Sequence, residues 1–181
     1  MGRPQVAALT ATATPRVRED ILKHLGLDDP VTIVRGFARE NLYFRITACD
    51  THKDKYKRLY ELVKRYKTGI IYCSTRKKVE QVYEALSDFG LSVTAYHAGM
   101  TDEQREEAQN AFMNRHADIV IATNAFGMGI DRADVRFVAH FEIPGSVEAY
   151  YQEAGRAGRD GERLIANFCQ PCGFADPGIF Y

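Results

Sequence analysis

The sequence predicts an α/β fold built on an open, mostly parallel β-sheet with helices on both faces. Three observations lead to this class. Short apolar runs typical of strands alternate with amphipathic runs of helical period along most of the 181 residues. The helical runs are long enough to connect parallel strands by right-handed crossovers. A hydrophobic fraction of 45% beside 27% charged residues suits a packed core and shows no sign of disorder.

The elements follow one another in a regular order. Residues 7–14 and 31–34 have strand-type sequences, and between them Thr14 and Pro15 start a helix that Gly26 ends. Between residues 36 and 50 no period persists, so we expect a connector there. Beyond it, we predict helices at residues 53–66, 76–88, 102–114 and 147–155, and strands at residues 69–73, 91–97, 118–123, 135–141 and 163–168.

Polar and glycine-bearing loops follow the predicted strands. They lie at residues 74–78, 97–101, 124–132 and 142–161. In an open α/β sheet, the loops after the strands share one edge, and ligands bind there. We therefore expect all four loops at the same edge.

Each loop offers groups that suit a phosphorylated ligand. Ser74 and Thr75 stand at a helix N-terminus beside Arg76, which is a ready anion site. Thr101 and Gln104 form a capping box, preceded by His97 and Gly99, which suits a second phosphate. Further along, Gly127 and Gly129 let the backbone approach a ligand closely, and Asp131 offers a carboxylate for ribose hydroxyls.

The charges are partitioned although their sum is zero. Residues 51–78 hold ten Lys or Arg against two Asp or Glu, and residues 80–118 hold eight acids against two bases. The first segment is suited to a polyanion. The alternative is a pair of solvated helix faces.

Several functional classes find little support in the composition. The longest apolar runs are far too short to cross a bilayer, and the N-terminus lacks the apolar core of a signal peptide, so we expect an intracellular protein without a membrane partner. The pair Cys169 and Cys172 has the spacing of a redox or zinc motif. A structural zinc needs two more ligands, and no second pair exists, so we expect no zinc site and reduced thiols.

Arg156 and Arg159 lie three residues apart among three glycines in the stretch Gln152 to Gly161. Such a stretch is either the end of a helix, where glycine and arginine are common, or a binding site for an anion. The residues alone leave both interpretations open.

Together with this stretch, other motifs resemble the RecQ family of DNA helicases in helicase superfamily 2. The matching motifs are ALTATAT, GIIYCSTRKKVEQV, YHAGMT and the long run from DIVIATNAFGMGID to EAGRAGRDG, which cover residues 7–161. The resemblance implies a motor of two RecA-like domains with ATP in the cleft between them. Residues 1–36 would be the tail of the first domain, 37–50 a connector, and 51–181 the second domain.

The resemblance also implies roles for individual residues. Arg156 and Arg159 correspond to the arginine motif that reaches the γ-phosphate, with Arg159 as the finger and Gln152 helping to position it. Gly129 and Asp131 fall near the ribose or its coupling loop. Residues expected to contact the DNA backbone are Ser74, Thr75, Arg76, His97, Ala98, Gly99, Met100 and Thr123, and residues expected to couple nucleotide state to DNA contact are Thr10 and Thr12.

Three of these assignments have ordinary structural alternatives. Thr123 also suits the end of a strand, His97 suits a hydrogen-bonding position at the edge of the core, and Met100 suits packing. The residues themselves do not decide between the alternatives.

The sequence also departs from a complete motor. The phosphate loop G-x-x-x-x-G-K-[ST] is absent, and no Asp-Glu pair follows an apolar strand to hold Mg²⁺. We therefore expect ATP with Mg²⁺ to be bound by the missing first domain, and no ATP hydrolysis by this chain alone. The expected partners are that domain and DNA, single-stranded or at a duplex junction. The expected location is the bacterial cytoplasm and nucleoid, or the nucleus of a eukaryote. The alternatives are a non-catalytic nucleic-acid-binding module and the equivalent domain of an RNA helicase.

Overall fold

The computed structural model describes residues 4–10, 13–27, 29–34, 39–127 and 130–171, with the backbone only at residues 168–171. The chain divides into two compact units, Met1–Arg39 and Glu40–Tyr181.

The first unit contains one helix, α1 (Pro15–Leu25), in its described residues. It begins and ends as the sequence predicts. The Thr14 side chain caps it by accepting from the Val17 N–H at 3.3 Å, and Gly26 ends it in the left-handed conformation with φ 50°. The strands predicted at residues 7–14 and 31–34 are not formed in the described residues. A strand needs a hydrogen-bonded neighbour, and Val31 and Ile33 are exposed.

The second unit is built on six parallel strands in the order β1-β6-β5-β2-β4-β3. This confirms the predicted class of sheet. The strands are β1 (Leu42–Cys49), β2 (Gly69–Tyr72), β3 (Val93–Tyr96), β4 (Ile119–Ala122), β5 (Phe137–His140) and β6 (Leu164–Pro171). The connector predicted at residues 37–50 is wrong in its second half, because β1 occupies it. That strand has no alternating burial and exists through its pairing with distant β6.

Four helices connect these strands, and their bounds agree closely with the prediction. They are α2 (His52–Tyr66), α3 (Arg76–Asp88), α4 (Asp102–Met113) and α5 (Val147–Ala154). Capping boxes begin α2 at Thr51 and α4 at Thr101. The C-cap of α2 is Lys67, with φ 66°, rather than Gly69. Gly69 instead begins β2, where a β-carbon would overlap the Phe137 ring.

The core lies on both faces of the sheet. On one face, α2 and α3 pack against β2, β4 and β5, and the cluster includes Leu59, Val63, Val79, Val82, Leu86, Ile71, Ile121 and Phe137. On the other face, α4 and α5 contribute Phe112, Tyr150 and Ala154, which pack with Ile70, Val120, Val138 and Phe126. Neighbouring strand residues such as Ile70 and Ile71 therefore point to opposite faces, as the pleat requires.

Parallel register aligns the ends of the strands. Tyr72 is paired with Ala122 on one side and His140 on the other, and Ala122 is paired with Tyr96. The segments that follow these four residues lie side by side at the carboxyl edge of the sheet. The opposite edge, where the strands begin, is called the amino edge here.

Candidate functional site

The loops after β2 and β3 meet at the carboxyl edge. Thr75 caps α3 by accepting from the Lys78 N–H at 3.2 Å, and the Ser74 N–H donates to the Glu142 carboxylate at 2.9 Å. The Arg76 side chain crosses towards Gly99, where an added β-carbon would lie 3.0 Å from the Arg76 Cδ. Since β4 separates β2 from β3, these two loops meet above the end of β4.

His97 and Met100 shape the loop after β3. His97 is buried, and its Nδ1 accepts from the Gly99 N–H at 3.1 Å. The His97 N–H in turn points at the Met100 Sδ at 3.4 Å, and the Met100 N–H donates to the His97 carbonyl at 3.1 Å. These contacts match the alternatives raised for both residues, hydrogen bonding at the core edge and packing. Ala98 and Gly99 are the exposed part of the loop.

Thr123 directly follows β4 at the same edge. Its N–H donates to the Tyr96 carbonyl at 3.2 Å, its carbonyl accepts from the Phe126 N–H at 3.0 Å, and the residue is buried. The structure thus brings Thr123 together with the loops that carry Arg76 and Gly99. These residues are called the carboxyl-edge loops below: Ser74, Thr75, Arg76, His97, Ala98, Gly99, Met100 and Thr123. Their contact with DNA stays a prediction.

The predicted position of residues 142–161 at the carboxyl edge is wrong for the end of this segment, which carries Arg156 and Arg159. The segment starts there with Glu142, but α5 returns the chain along the sheet. The Gly158 N–H donates to the Val135 carbonyl at 3.0 Å, just before β5 begins. Asp160 pairs with Arg136, which immediately precedes β5. The end of the segment therefore lies at the amino edge.

Arg156 is half-buried and held by the loop after β4. Its Nη1 donates to the Gly127 carbonyl, while its Nε is buried without a partner among the described residues. Gly127 has φ 141°, and a β-carbon there would overlap the Arg156 guanidinium. Since α5 ends at Ala154, the two arginines lie in the turns beyond the helix, which ends one residue earlier than predicted.

Arg159 is the more exposed arginine of the pair. Its Nη1 donates to the Asp131 Oδ1 at 3.1 Å, and the two side chains are 43% and 82% exposed. Gln152 is exposed in the last turn of α5. The structure thus brings Arg159 and Asp131 together, as the sequence grouped them, with part of the guanidinium facing solvent. The predicted roles of these residues towards a nucleotide stay predictions.

Arg132 stabilises the loop after β4 from its buried side, and the sequence analysis did not predict this role. It is 5% exposed, and its Nη1 donates to the carbonyls of Phe112 at 2.6 Å and Ala117 at 2.9 Å. Its Nε donates to the Asp134 carboxylate at 2.9 Å. The position of Arg132 between two aspartates was a signal of pairing, but its main-chain acceptors are not readable from sequence. The region of Arg132, Arg136, Arg156 and Arg159 is called the arginine corner below.

The carboxylates of the arginine corner are held ionised. Burial raises the pKa of Asp134, but the hydrogen bond from Arg132 and the charges of Arg132 and Arg115 outweigh it, so the pKa is lowered. The hydrogen bond from Arg136 lowers the pKa of Asp160 to about 2. Both pairs therefore keep their charges at neutral pH.

Some predicted residues lie outside the described ones, namely Thr12, Gly129 and Cys172, and the side chain of Cys169 is not described. Thr10 is exposed in the first unit. Among the described side chains, no group of three or more metal-ligating residues comes together. None of the described helices combines the length and the apolar character needed to span a membrane.

Comparison with known proteins identifies the class. Residues 54–161 match the model of the helicase conserved C-terminal domain, and the chain belongs to that family. Among proteins with this domain, the chain is similar to helicases of the RecQ type. "ATP-dependent DNA helicase RecQ" of Bacillus subtilis (strain 168) is 45% identical over 88% of this chain and 27% of that protein. "ATP-dependent helicase SGS1" of Saccharomyces cerevisiae is 43% identical over 85% of this chain and 11% of that protein.

Solved structures agree on the fold. "S. cerevisiae Dbp5 bound to RNA and ADP BeF3" has a TM-score of 0.76 at 23% identity, over 90% of this chain and 44% of that chain. The "E. coli DEAD-box protein SrmB" bound to RraA has a TM-score of 0.64 at 24% identity, over 72% of this chain and 76% of that chain. This chain thus has the RecA-like fold of helicase C-terminal domains. It spans about a quarter, 27%, of the B. subtilis relative.

Proposed function

We propose that this chain is the second motor domain of an ATP-dependent DNA helicase of the RecQ type. In this proposal, the first RecA-like domain of the parent protein binds ATP and Mg²⁺, and the arginine corner completes the site from the other side of the cleft. The observation that carries the proposal is that Arg159 is partly exposed beside Asp131, while Arg156, three residues earlier, is fixed to the Gly127 carbonyl.

The arginine corner suits phosphoryl transfer. Negative charge spreads over the phosphoryl oxygens in the transition state, and an always-ionised, planar guanidinium stabilises it through paired hydrogen bonds. Arg156 is set by a main-chain acceptor, so little reorganisation is needed when ATP arrives. Arg159 would exchange the Asp131 carboxylate for phosphate oxygens, which leaves Asp131 available to the ribose, near Gly129 in the chain. Gln152, one turn before the corner, helps to position the nucleotide.

The carboxyl-edge loops would hold one strand of DNA. The N-termini of α3 and α4 open at this edge, and Arg76 adds a cation beside Ser74, Thr75, Ala98 and Gly99. We assign His97 and Met100 to shaping the loop, and Thr123 to coupling this edge to the loop that contacts Arg156. The chain alone would bind single strands weakly and would not hydrolyse ATP, because its 181 residues contain no phosphate loop.

The decisive experiment is Arg159→Ala in the full-length parent helicase. Because the first domain would provide most ground-state contacts, KM for ATP should stay nearly constant. The kcat with saturating single-stranded DNA should fall on the order of 10³-fold, which is typical of an arginine finger. Arg159→Lys should restore little, since it lacks the planar fork.

A matched control separates this role from a loss of structure. Arg115 is also an exposed arginine in an ion pair, with Asp134 at 3.5 Å, and its side chain is 72% exposed. Arg115→Ala should keep kcat within about twofold. A near-wild-type kcat for Arg159→Ala, with an unchanged thermal melt, would refute the finger assignment.

A further inference from the structure

A buried polar cluster joins β2, β5 and α5 and is not used by the site described so far. His140 is 2% exposed, and its Nε2 lies 2.6 Å from the Glu153 Oε2. The His140 ring stacks on Tyr72, with centroids 5.4 Å apart and planes at 23°, and the Tyr150 ring meets it edge-on at 4.8 Å. Burying the polar groups of such a cluster costs free energy unless their hydrogen bonds are made with good geometry.

The hydrogen bonds of His140 fix its tautomer. The Glu153 carboxylate can only accept, so the proton resides on Nε2. The other ring nitrogen, Nδ1, is buried without a partner in the described part of the chain. A proton there would be a buried donor without an acceptor, so the contact from Nε2–H to Glu153 is the one that orients the ring in the described part of the chain. The imidazole thus acts as a fixed donor that holds Glu153 on α5.

The cluster is linked to both anchors of Arg156. The Tyr72 hydroxyl donates to the Phe126 carbonyl at 3.2 Å, and the next carbonyl, that of Gly127, accepts from the Arg156 guanidinium. On the other side, the Glu153 carbonyl accepts from the Arg156 N–H at 3.3 Å. The acceptor for the Arg156 backbone therefore belongs to Glu153, whose side chain contacts His140. The acceptor for the Arg156 side chain lies one residue from Phe126, which is bonded to Tyr72, the ring that stacks on His140.

Electrostatics supports the link. Burial raises the pKa of Tyr72, so the phenol stays a neutral donor, while the nearby Arg156 cation acts to lower that pKa and Glu153 acts to raise it. Arg156 and Glu153 therefore both lie within electrostatic range of the Tyr72 hydroxyl.

We propose that His140, Glu153 and Tyr72 are positioning residues for Arg156. They contact no nucleotide. They fix the separation between the end of α5 and the loop at Gly127, and this separation sets where the guanidinium points. The inference rests on the proposed function of Arg156 in ATP turnover. It adds that the buried cluster contributes to kcat by holding Arg156 in position.

The test is a double-mutant cycle in the full-length parent helicase. Glu153→Ala and Tyr72→Phe should each lower kcat about tenfold at nearly constant KM, because an alignment needed in the transition state is lost. Glu153→Gln should recover most of the activity, since its amide oxygen still accepts from the His140 Nε2–H. In an Arg156→Ala background, Glu153→Ala and Tyr72→Phe should lower kcat no further.

The outcomes separate this inference from the proposed function. If Arg156→Ala itself leaves kcat unchanged, the proposed function fails. If Arg156→Ala lowers kcat but the cluster variants act equally in both backgrounds, or keep wild-type kcat, the positioning role alone is refuted. Glu148→Ala, an exposed glutamate on the same helix, is the control and should leave kcat unchanged. Tyr72→Phe removes a single hydroxyl, so its kcat remains interpretable if Glu153→Ala fails to fold.

Discussion

The carboxyl-edge loops and the arginine corner hold their arginines in opposite ways. At the carboxyl edge, Arg76 is exposed and lies along Gly99, which leaves its position adjustable. At the corner, Arg132 and Arg156 donate to main-chain carbonyls, and Arg136 donates to the Asp160 carboxylate. Under the proposed function, a DNA-binding edge that releases and shifts its strand needs adaptable contacts. The corner provides fixed contacts at Arg132, Arg136 and Arg156, whereas Arg159 keeps an exposed partner that it can exchange for phosphate.

The largest expected effect on stability comes from removing the Arg132 side chain from the arginine corner. Arg132→Ala removes a buried guanidinium that donates to the Phe112 and Ala117 carbonyls and to the Asp134 carboxylate, so the free energy of unfolding of this chain should fall by about 3 kcal/mol. Denaturant unfolding measures this value. Arg115→Ala removes the exposed partner of the same Asp134 and should cost less than about 0.5 kcal/mol. Equal losses for the two variants would show that the corner is no more rigidly held than the surface.

A glycine in each region offers a closer comparison. Gly127→Ala imposes φ 141° on a residue with a β-carbon and pushes that carbon into the Arg156 guanidinium, so it should cost about 2 kcal/mol. Gly99→Ala meets the flexible end of Arg76 at 3.0–3.1 Å and the His97 Nδ1 at 3.2 Å, without a positive φ, and should cost less than about 1 kcal/mol. Thermal melts of both variants test this difference. A tolerated Gly127→Ala would mean that the guanidinium is free to move.

The smallest effect concerns the salt dependence of DNA binding. If the carboxyl-edge loops neutralise two or three phosphates, the log-log slope for single strands should be about −1.5 to −2. Arg76→Ala should reduce its magnitude by about 0.7, without changing the thermal melt. Fluorescence anisotropy over a range of salt concentrations measures the slope. Arg159→Ala should leave it unaltered, and an equal reduction by both variants would erase the distinction between the two regions.

Local signals made the helices predictable, whereas long-range pairing hid one strand. Thr51, Thr75 and Thr101 each cap the helix that follows, so α2, α3 and α4 begin where the sequence says. No comparable signal marks β1, which depends on β6 for its hydrogen bonds. A strand that depends on a distant partner cannot be located from its own residues alone.

The candidate site was predictable in its residues but not in its arrangement. The motifs select Arg156, Arg159 and Asp131, and the structure brings Arg159 and Asp131 into contact. Arg156 and Arg159 lie near the amino edge because α5 runs back towards it from the carboxyl edge. The loop after β4, which carries Asp131, runs in the same direction. The contacts of Arg132 and His140 could not be predicted from the sequence, because most of their partners lie on other elements of the fold.

The position of β6 between β1 and β5 has a consequence for biosynthesis. In the described part of the chain, β1 pairs with β6 alone, yet β6 comes last of the six described strands in the order of synthesis. At about 5–20 residues per second, on the order of ten seconds separate the two strands in translation. During that interval, β2 to β5 can pair, while β1 offers Tyr43, Phe44 and Ile46 on an unpaired strand. The nascent polypeptide thus carries an unpaired apolar strand at β1 until β6 pairs between β1 and β5.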